Sequence, residues 1–274
     1  MPTSRAPSSR FSGSRFVRGG GLLAAAWIVA WLALAGRAFA IDFYEIQIYS
    51  TETTPADRLE LELHSNSVTT ATGAAAHEAL GPYQIHETLE ASYGVLPHLE
   101  VGQYLCTAKL DDGNYEYAGA RTKLHFGGVG DPEQSPIALG GNIELDYMRR
   151  QAEENPFTFE LRAIVEKRIG RLWMVGNFAF EEPFRGPGTH RGVTLEPSGQ
   201  LSYDLVRWAT PSVEYYGDLG PIQVIPGARR QQHFIVPALN LDLVENLELN
   251  LGVGIGVTRT SNGLFLKSIV GWTF

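Results

Sequence analysis

The residues able to do chemistry fall into two groups, and both carry a spacing of two. Glu62 and His64 stand in LELHSNS with Ser65 and Ser67 directly after, His86 and Glu90 follow in IHETLEAS, and His125 and His233 stand apart. A base beside a hydroxyl could activate serine or water for hydrolysis. No GxSxG elbow and no HExxH pair occurs, so the sequence contains no hydrolase signature. His64, His86 and Glu62 could gather around a metal if neighbouring strands brought them to one height. Hydrogen-bonded filling is the preferred reading of such histidines, and no catalytic residue, metal ligand or cofactor is assigned. The second group is ionic: Arg121, Lys123 and Arg162 against Glu144, Asp146 and Glu160, then Glu248 against Lys267. Opposed charges of this kind close an interior as salt-bridge ladders or form a constriction that orients a solute.

A spacing of two is the period of a strand, so the elements that position these groups are strands. In Asn246 to Phe274, Leu247, Leu249, Leu251, Val253, Ile255 and Val257 alternate with Glu248, Asn250 and three glycines, and after a turn the pattern resumes to Trp272 and Phe274. Earlier segments repeat it: 58–66, 83–94, 99–110, 115–126, 137–149, a run from Phe157, 171–181, 196–205, 210–217 and 233–243. That makes about 12 strands, most of them long enough to cross a bilayer when tilted. In 115–126, Ala118, Ala120, Leu124 and Phe126 oppose Tyr117, Arg121, Lys123 and His125. Short turns near residues 96–97, 169–170, 206–207 and 244–245 alternate with longer polar connections at 67–82, 182–195 and 218–232. The segment 127–136 breaks the alternation, as an irregular loop or as a miscounted strand.

The expected fold is all-β: a transmembrane antiparallel up-and-down barrel with apolar faces to lipid and polar faces inward. The inward set then includes Glu62, His64, His86, Glu90, Arg121, Lys123, Glu144, Asp146, Glu160, Arg162, Glu248 and Lys267. Residues 1–40 carry five arginines, an apolar stretch of about 15 residues and a small-x-small site at Ala38-Phe39-Ala40, the makings of a cleaved signal peptide. Its loss leaves 17 basic against 30 acidic residues, a formal charge of about −13 that disfavours nucleic acid. Cys106 is the sole cysteine, so an internal disulfide is excluded. Residues 41–57 fall outside the strand count and either plug the lumen or hang as a periplasmic tail; residues 58–274 form the barrel.

The end of the chain, with Val270, Trp272 and Phe274 on one face, resembles the C-terminal assembly signal of bacterial outer-membrane barrels, which implies the barrel-assembly machinery as a partner besides the lipid bilayer. The segments DFYEIQIY (42–49), LELH (61–64), HETLEASYG (86–94), YAGARTKLHF (117–126), VEYYGDLG (213–220), QQHFIVP (231–237) and LNLGVGIG (249–256) resemble a group of proteobacterial outer-membrane barrels distantly similar to transporters of the phenol-degradation-pathway group. The resemblance implies an outer-membrane channel passing small, hydrophobic solutes, and the predominantly acidic inward faces point to a narrow pore that favours cations. A filled structural or surface-interaction barrel that does not conduct is the alternative, and an outer-membrane hydrolase ranks below it. A closed barrel should resist detergent, so unheated protein is expected to migrate differently on a gel from boiled protein; identical mobility would refute the fold.

Overall fold

The structure, a computed structural model, describes residues 42–70, 85–109, 113–261 and 263–274. The expected signal peptide, most of the 67–82 loop and the start of the turn at 111–114 lie outside the described residues. Twelve strands follow in order: β1 (Leu59–Thr70), β2 (Ile85–Leu96), β3 (Leu99–Lys109), β4 (Tyr115–Val129), β5 (Ala138–Met148), β6 (Phe157–Ile169), β7 (Leu172–Arg185), β8 (Thr194–Tyr203), β9 (Ala209–Asp218), β10 (Gln232–Val244), β11 (Leu247–Gly256) and β12 (Leu264–Thr273). Each pairs antiparallel with its neighbours in sequence, and β12 returns to β1. Closure leaves no strand edge unpaired, and the Phe274 amide completes the seam by donating to the Leu59 carbonyl at 2.7 Å.

Polarity is inverted relative to a soluble barrel. Leu63, Leu89, Leu105, Leu145, Leu161 and Leu251 stand exposed on the outer face, while His64, Glu90, Lys123, Glu144, Glu214 and Lys267 are buried inside. A hydrocarbon solvent outside rationalises both at once, because lipid accepts the leucines and the closed ladder satisfies every strand. Glu87, the one acidic residue on the apolar side of β2, lies between Ser65 and Thr107 on the flanking strands, towards the end of the barrel that carries the longer loops. Short hairpins gather at the opposite end. Two of them turn on left-handed residues, Gly170 at φ 58° and Asn246 at φ 67°, as tight connections between twisted strands require.

One expectation needs correction, and one open alternative is decided. Simple alternation in β4 puts Tyr117 inside and Ala118 outside, whereas Ala118 is buried and Tyr117 is 40% exposed. A β-bulge is the cause: Cys106 pairs with Gly119 and Thr107 with Tyr117, so Ala118 is an extra residue that flips the faces before it. The 127–136 segment is not a lost strand. β4 continues to Val129 through a second register shift, and the loop after it is tied to β6 by Lys167 Nζ on the Ser135 carbonyl (2.6 Å) and by the Arg168 amide on the Pro132 carbonyl (2.9 Å).

Leu105 sits mid-strand on the lipid side of β3. Leu105→Arg is expected to cost about 2–4 kcal/mol in urea titrations of the barrel folded into vesicles, whereas the same charge at a lumen position escapes this penalty.

Candidate functional site

Residues 42–57 run inside the barrel from near its long-loop end, where Phe43 packs against Val68, Phe234 and Phe265, down to its short-turn end. Their polar backbone groups are met by inward side chains of the wall, as backbone buried at membrane depth must be. Asn66 Nδ2 donates to the Phe43 carbonyl (2.8 Å), the Thr51 amide and hydroxyl both donate to Glu166 Oε2 (2.7 Å each), and the Thr54 amide and hydroxyl donate to Glu100 Oε2 (2.8 and 3.0 Å). The Gly128 amide donates to the Thr51 carbonyl at 2.9 Å. Where the segment leaves the lumen, Gly94 of β2 touches it so closely that an added Cβ would strike the Thr54 and Pro55 carbonyl oxygens. These contacts pack residues 42–57 against the inner wall.

Tyr49 holds the centre of this segment. The Asn177 side chain of β7 grips its backbone from both sides, accepting from the amide at 2.9 Å and donating to the carbonyl at 2.8 Å. Its ring lies between two cations, with Lys123 Nζ 4.4 Å and Arg162 Cζ 5.0 Å from the centroid. Its hydroxyl hydrogen-bonds to the Glu45 carboxylate and lies 2.8 Å from the Tyr104 hydroxyl. Phe43, four positions before Gln47, is sealed among Val68, Phe234 and Phe265, and Tyr44 packs among Tyr104, Cys106, Ala118 and Met148. Cys106 is thus a small filler in this second cluster.

The ionic residues all point inward, but several pair otherwise than their register suggests. Arg162 bonds Glu160 of its own strand at 2.7 and 3.1 Å. Arg121 keeps Asp146 at 3.8 Å and spends its main contacts on the inserted segment, an ion pair with Asp42 and a 2.8 Å bond to Glu45. Lys123 does not meet Glu144; its Nζ lies 2.7 Å from Glu90 and 3.2 Å from Glu100. Gly102, its partner on β3, makes the reach possible, because an added Cβ would come within 3.0 Å of Lys123 Cε. Lys267 repeats the device: it passes Gly252 on β11 and ends 2.7 Å from Glu214 of β9 and 3.1 Å from the Tyr216 hydroxyl. Glu248 is exposed at the short-turn mouth and faces Gly271 instead of Lys267.

Glu144 receives a long bond from Asn142 Nδ2 at 3.4 Å. His86 packs against Tyr44 and Phe43, with centroids 4.7 and 5.8 Å away, and pairs with Asn66 instead of joining His64. Around His64 the structure assembles Glu62 and Glu90. Ser65 and Ser67 alternate to the outer face, where they line an apolar groove, so neither is available to a lumen histidine. Asp42, Glu45, Tyr49, Glu100, Tyr104 and Asn177 are the site residues that strand patterning missed. The two inward glycines beside long cations were the readable signal.

Below the inserted segment lies a cavity of about 1510 Å³, bordered by Glu60, Glu62, Glu100, Lys123, Glu248 and Asn250 and reaching the short turns at Pro97, Arg207 and Asn246. Burial pushes the Glu45 carboxyl upward, but the guanidinium groups of Arg121 and Arg162 and the Tyr49 hydroxyl outweigh it and hold the group below its ordinary range. A lowered folded-state value stabilises the docked segment above the unfolded carboxylate range, and that contribution disappears as the pH falls through the lower, folded-state value.

No family model matches the chain, and no curated protein matches its sequence. Among solved structures, the chain is similar to the COG4313 outer membrane channel from Pseudomonas putida F1, at 13% identity over 84% of this chain and 100% of that one, with a TM-score of 0.56. It is also similar to the KdgM porin, at 9% identity over 78% of this chain and 99% of that one, with a TM-score of 0.55. A further structure, KdgM in complex with disordered oligogalacturonate, aligns with a TM-score of 0.51 at 8% identity, over 78% of this chain and 98% of that one. At these identities the likeness is one of fold: the chain has the architecture of an outer-membrane β-barrel.

Arg121→Ala strips Asp42, Glu45 and Asp146 of their shared cation. Leaving buried carboxylates uncompensated should cost about 3–5 kcal/mol in urea unfolding and expose residues 42–57 to protease. Acidification of the wild type through the folded-state range of Glu45 should expose the same segment, read by proteolysis along a pH series.

Proposed function

We propose that this protein is an outer-membrane channel for small solutes in which residues 42–57 narrow the lumen. The observation that carries the reading is the combination of a closed barrel, apolar outside and charged inside, with a cavity of about 1510 Å³ that stops beneath the inserted segment. Buried carboxylates such as Glu45, Glu90, Glu100, Glu144, Glu166 and Glu214 outnumber the buried cations Arg121, Lys123 and Lys267. Such a lining favours cations, or neutral solutes with hydrogen-bond donors, over anions. The fold likeness to porins and channels supports passage in general. Segments such as YAGARTKLHF resemble a barrel group distantly similar to phenol-degradation-pathway transporters, which makes small hydrophobic compounds the first solutes to try. Export through residues 1–40, assembly through Val270, Trp272 and Phe274, and residence in the outer membrane belong to the same proposal.

The density of contacts around Tyr49 favours a second reading, a barrel filled for structural reasons. The two readings part on one variant. Asn177→Ala removes both bonds to the Tyr49 backbone without touching the apolar wall. In planar bilayers the wild type is expected to show small cation-selective currents and Asn177→Ala larger ones, by several fold. Absence of current in both, with any ion or osmolyte, would sink the channel and leave the filled barrel.

A further inference from the structure

From β1 and β2, Glu62, His64 and Glu90 project to one spot on the inner wall, at the inner end of the cavity that Glu62 and Glu90 border. His64 is fully buried, with Nε2 3.3 Å from Glu62 Oε2 and 3.4 Å from Glu90 Oε2. Apart from these ion-pair contacts with one another, neither His64 Nε2 nor Glu90 Oε2 makes a hydrogen bond among the described residues. The other Glu90 oxygen is committed, accepting from Lys123 Nζ and from the Ser92 hydroxyl at 2.7 Å each, and this fixes the free oxygen towards the imidazole. Gln47 Nε2, 3.5 Å from Glu62 Oε2, approaches from the inserted segment.

These separations match the edges of a coordination tetrahedron. Zinc bonds of about 2.0–2.2 Å to nitrogen and oxygen place neighbouring ligand atoms roughly 3.3–3.6 Å apart. All three ligand atoms lie within 4.8 Å of one another, and a tetrahedral zinc held by them would take water as its fourth ligand. The surroundings also favour a cation: Glu60 and Glu100, joined through the Thr54 hydroxyl at 3.1 and 3.0 Å, add two carboxylates around the single ammonium of Lys123.

We infer that Glu62, His64 and Glu90 form a binding site for a divalent transition ion of the zinc type, loaded from the cavity at the short-turn end. One imidazole with two carboxylates suits zinc or cobalt better than magnesium or calcium, which prefer all-oxygen shells. The site ties β1 to β2 beside the inserted segment and holds whether or not the lumen conducts.

The test uses the full chain folded in detergent, stripped with chelator and dialysed against zinc. One zinc per chain should be retained in the presence of excess magnesium, and cobalt should give the intense visible bands of a tetrahedral site. His64→Gln should weaken zinc binding by roughly 100-fold or more. Glu62→Gln should weaken it too and serves if the histidine variant does not fold, as judged by heat-modifiable gel mobility. His125→Gln, in the same cavity and outside the cluster, should retain the ion. Sub-stoichiometric zinc on the folded wild type, weak octahedral cobalt bands, retention unchanged in both ligand variants, or equal loss in His125→Gln would overturn the site.

Discussion

The interior depends on the grip of Asn177 on the backbone of Tyr49. An extended segment inside a barrel has no ladder partner, and each unpaired amide or carbonyl held away from water costs on the order of 1–3 kcal/mol. One carboxamide supplies both a donor and an acceptor at that point, with bonds of 2.9 and 2.8 Å. The wall grips residues 42–57 at further points, Phe43, Thr51 and Thr54, on either side of Tyr49. Its ring fills the gap between Lys123 and Arg162, its hydroxyl ties Glu45 to Tyr104, and the chain on either side reaches Arg121 above and Glu166 below.

Charge balance is the second constraint. Acidic groups dominate the wall, so each buried cation is shared by more than one oxygen: Arg121 among Asp42, Glu45 and Asp146, Lys123 between Glu90 and Glu100, Lys267 between Glu214 and the Tyr216 hydroxyl. Sharing demands reach, and reach demands room on the intervening strand. Gly102 and Gly252 provide it by offering no side chain where the lysine stems pass. Glycine normally weakens a strand, and here the loss is offset by ion pairs that a larger residue would prevent.

A barrel of this architecture tolerates wide divergence in sequence. Closure needs alternation and turns, and the outer face needs only apolar character, so channels sharing 9% to 13% identity with this chain keep the same fold. What a barrel admits is decided by inward residues and by whatever occupies the bore, neither of which a fold likeness carries across. In this protein the bore is occupied by the segment from Asp42 to Thr54, held by side chains of the wall.

Strand number, the facing of most strands and the short hairpins were legible in the sequence, because alternation of period two and turn chemistry are local properties. Leu59, Leu61 and Leu63 against Glu60, Glu62 and His64 declare both faces of β1 within six residues. Local pattern failed where one residue was added to the ladder, at Ala118, since a bulge shows only in the pairing with Cys106 and Thr107. It failed again for the ionic partners, because Lys267 passes Gly252 to reach Glu214 on β9, and Lys123 passes Gly102 to reach Glu90 on β2 as well as Glu100 on β3. The place of residues 42–57 was decided by tertiary structure alone. Tyr49 and Asn177 are 128 positions apart, and only closure of twelve strands brings that carboxamide to that backbone.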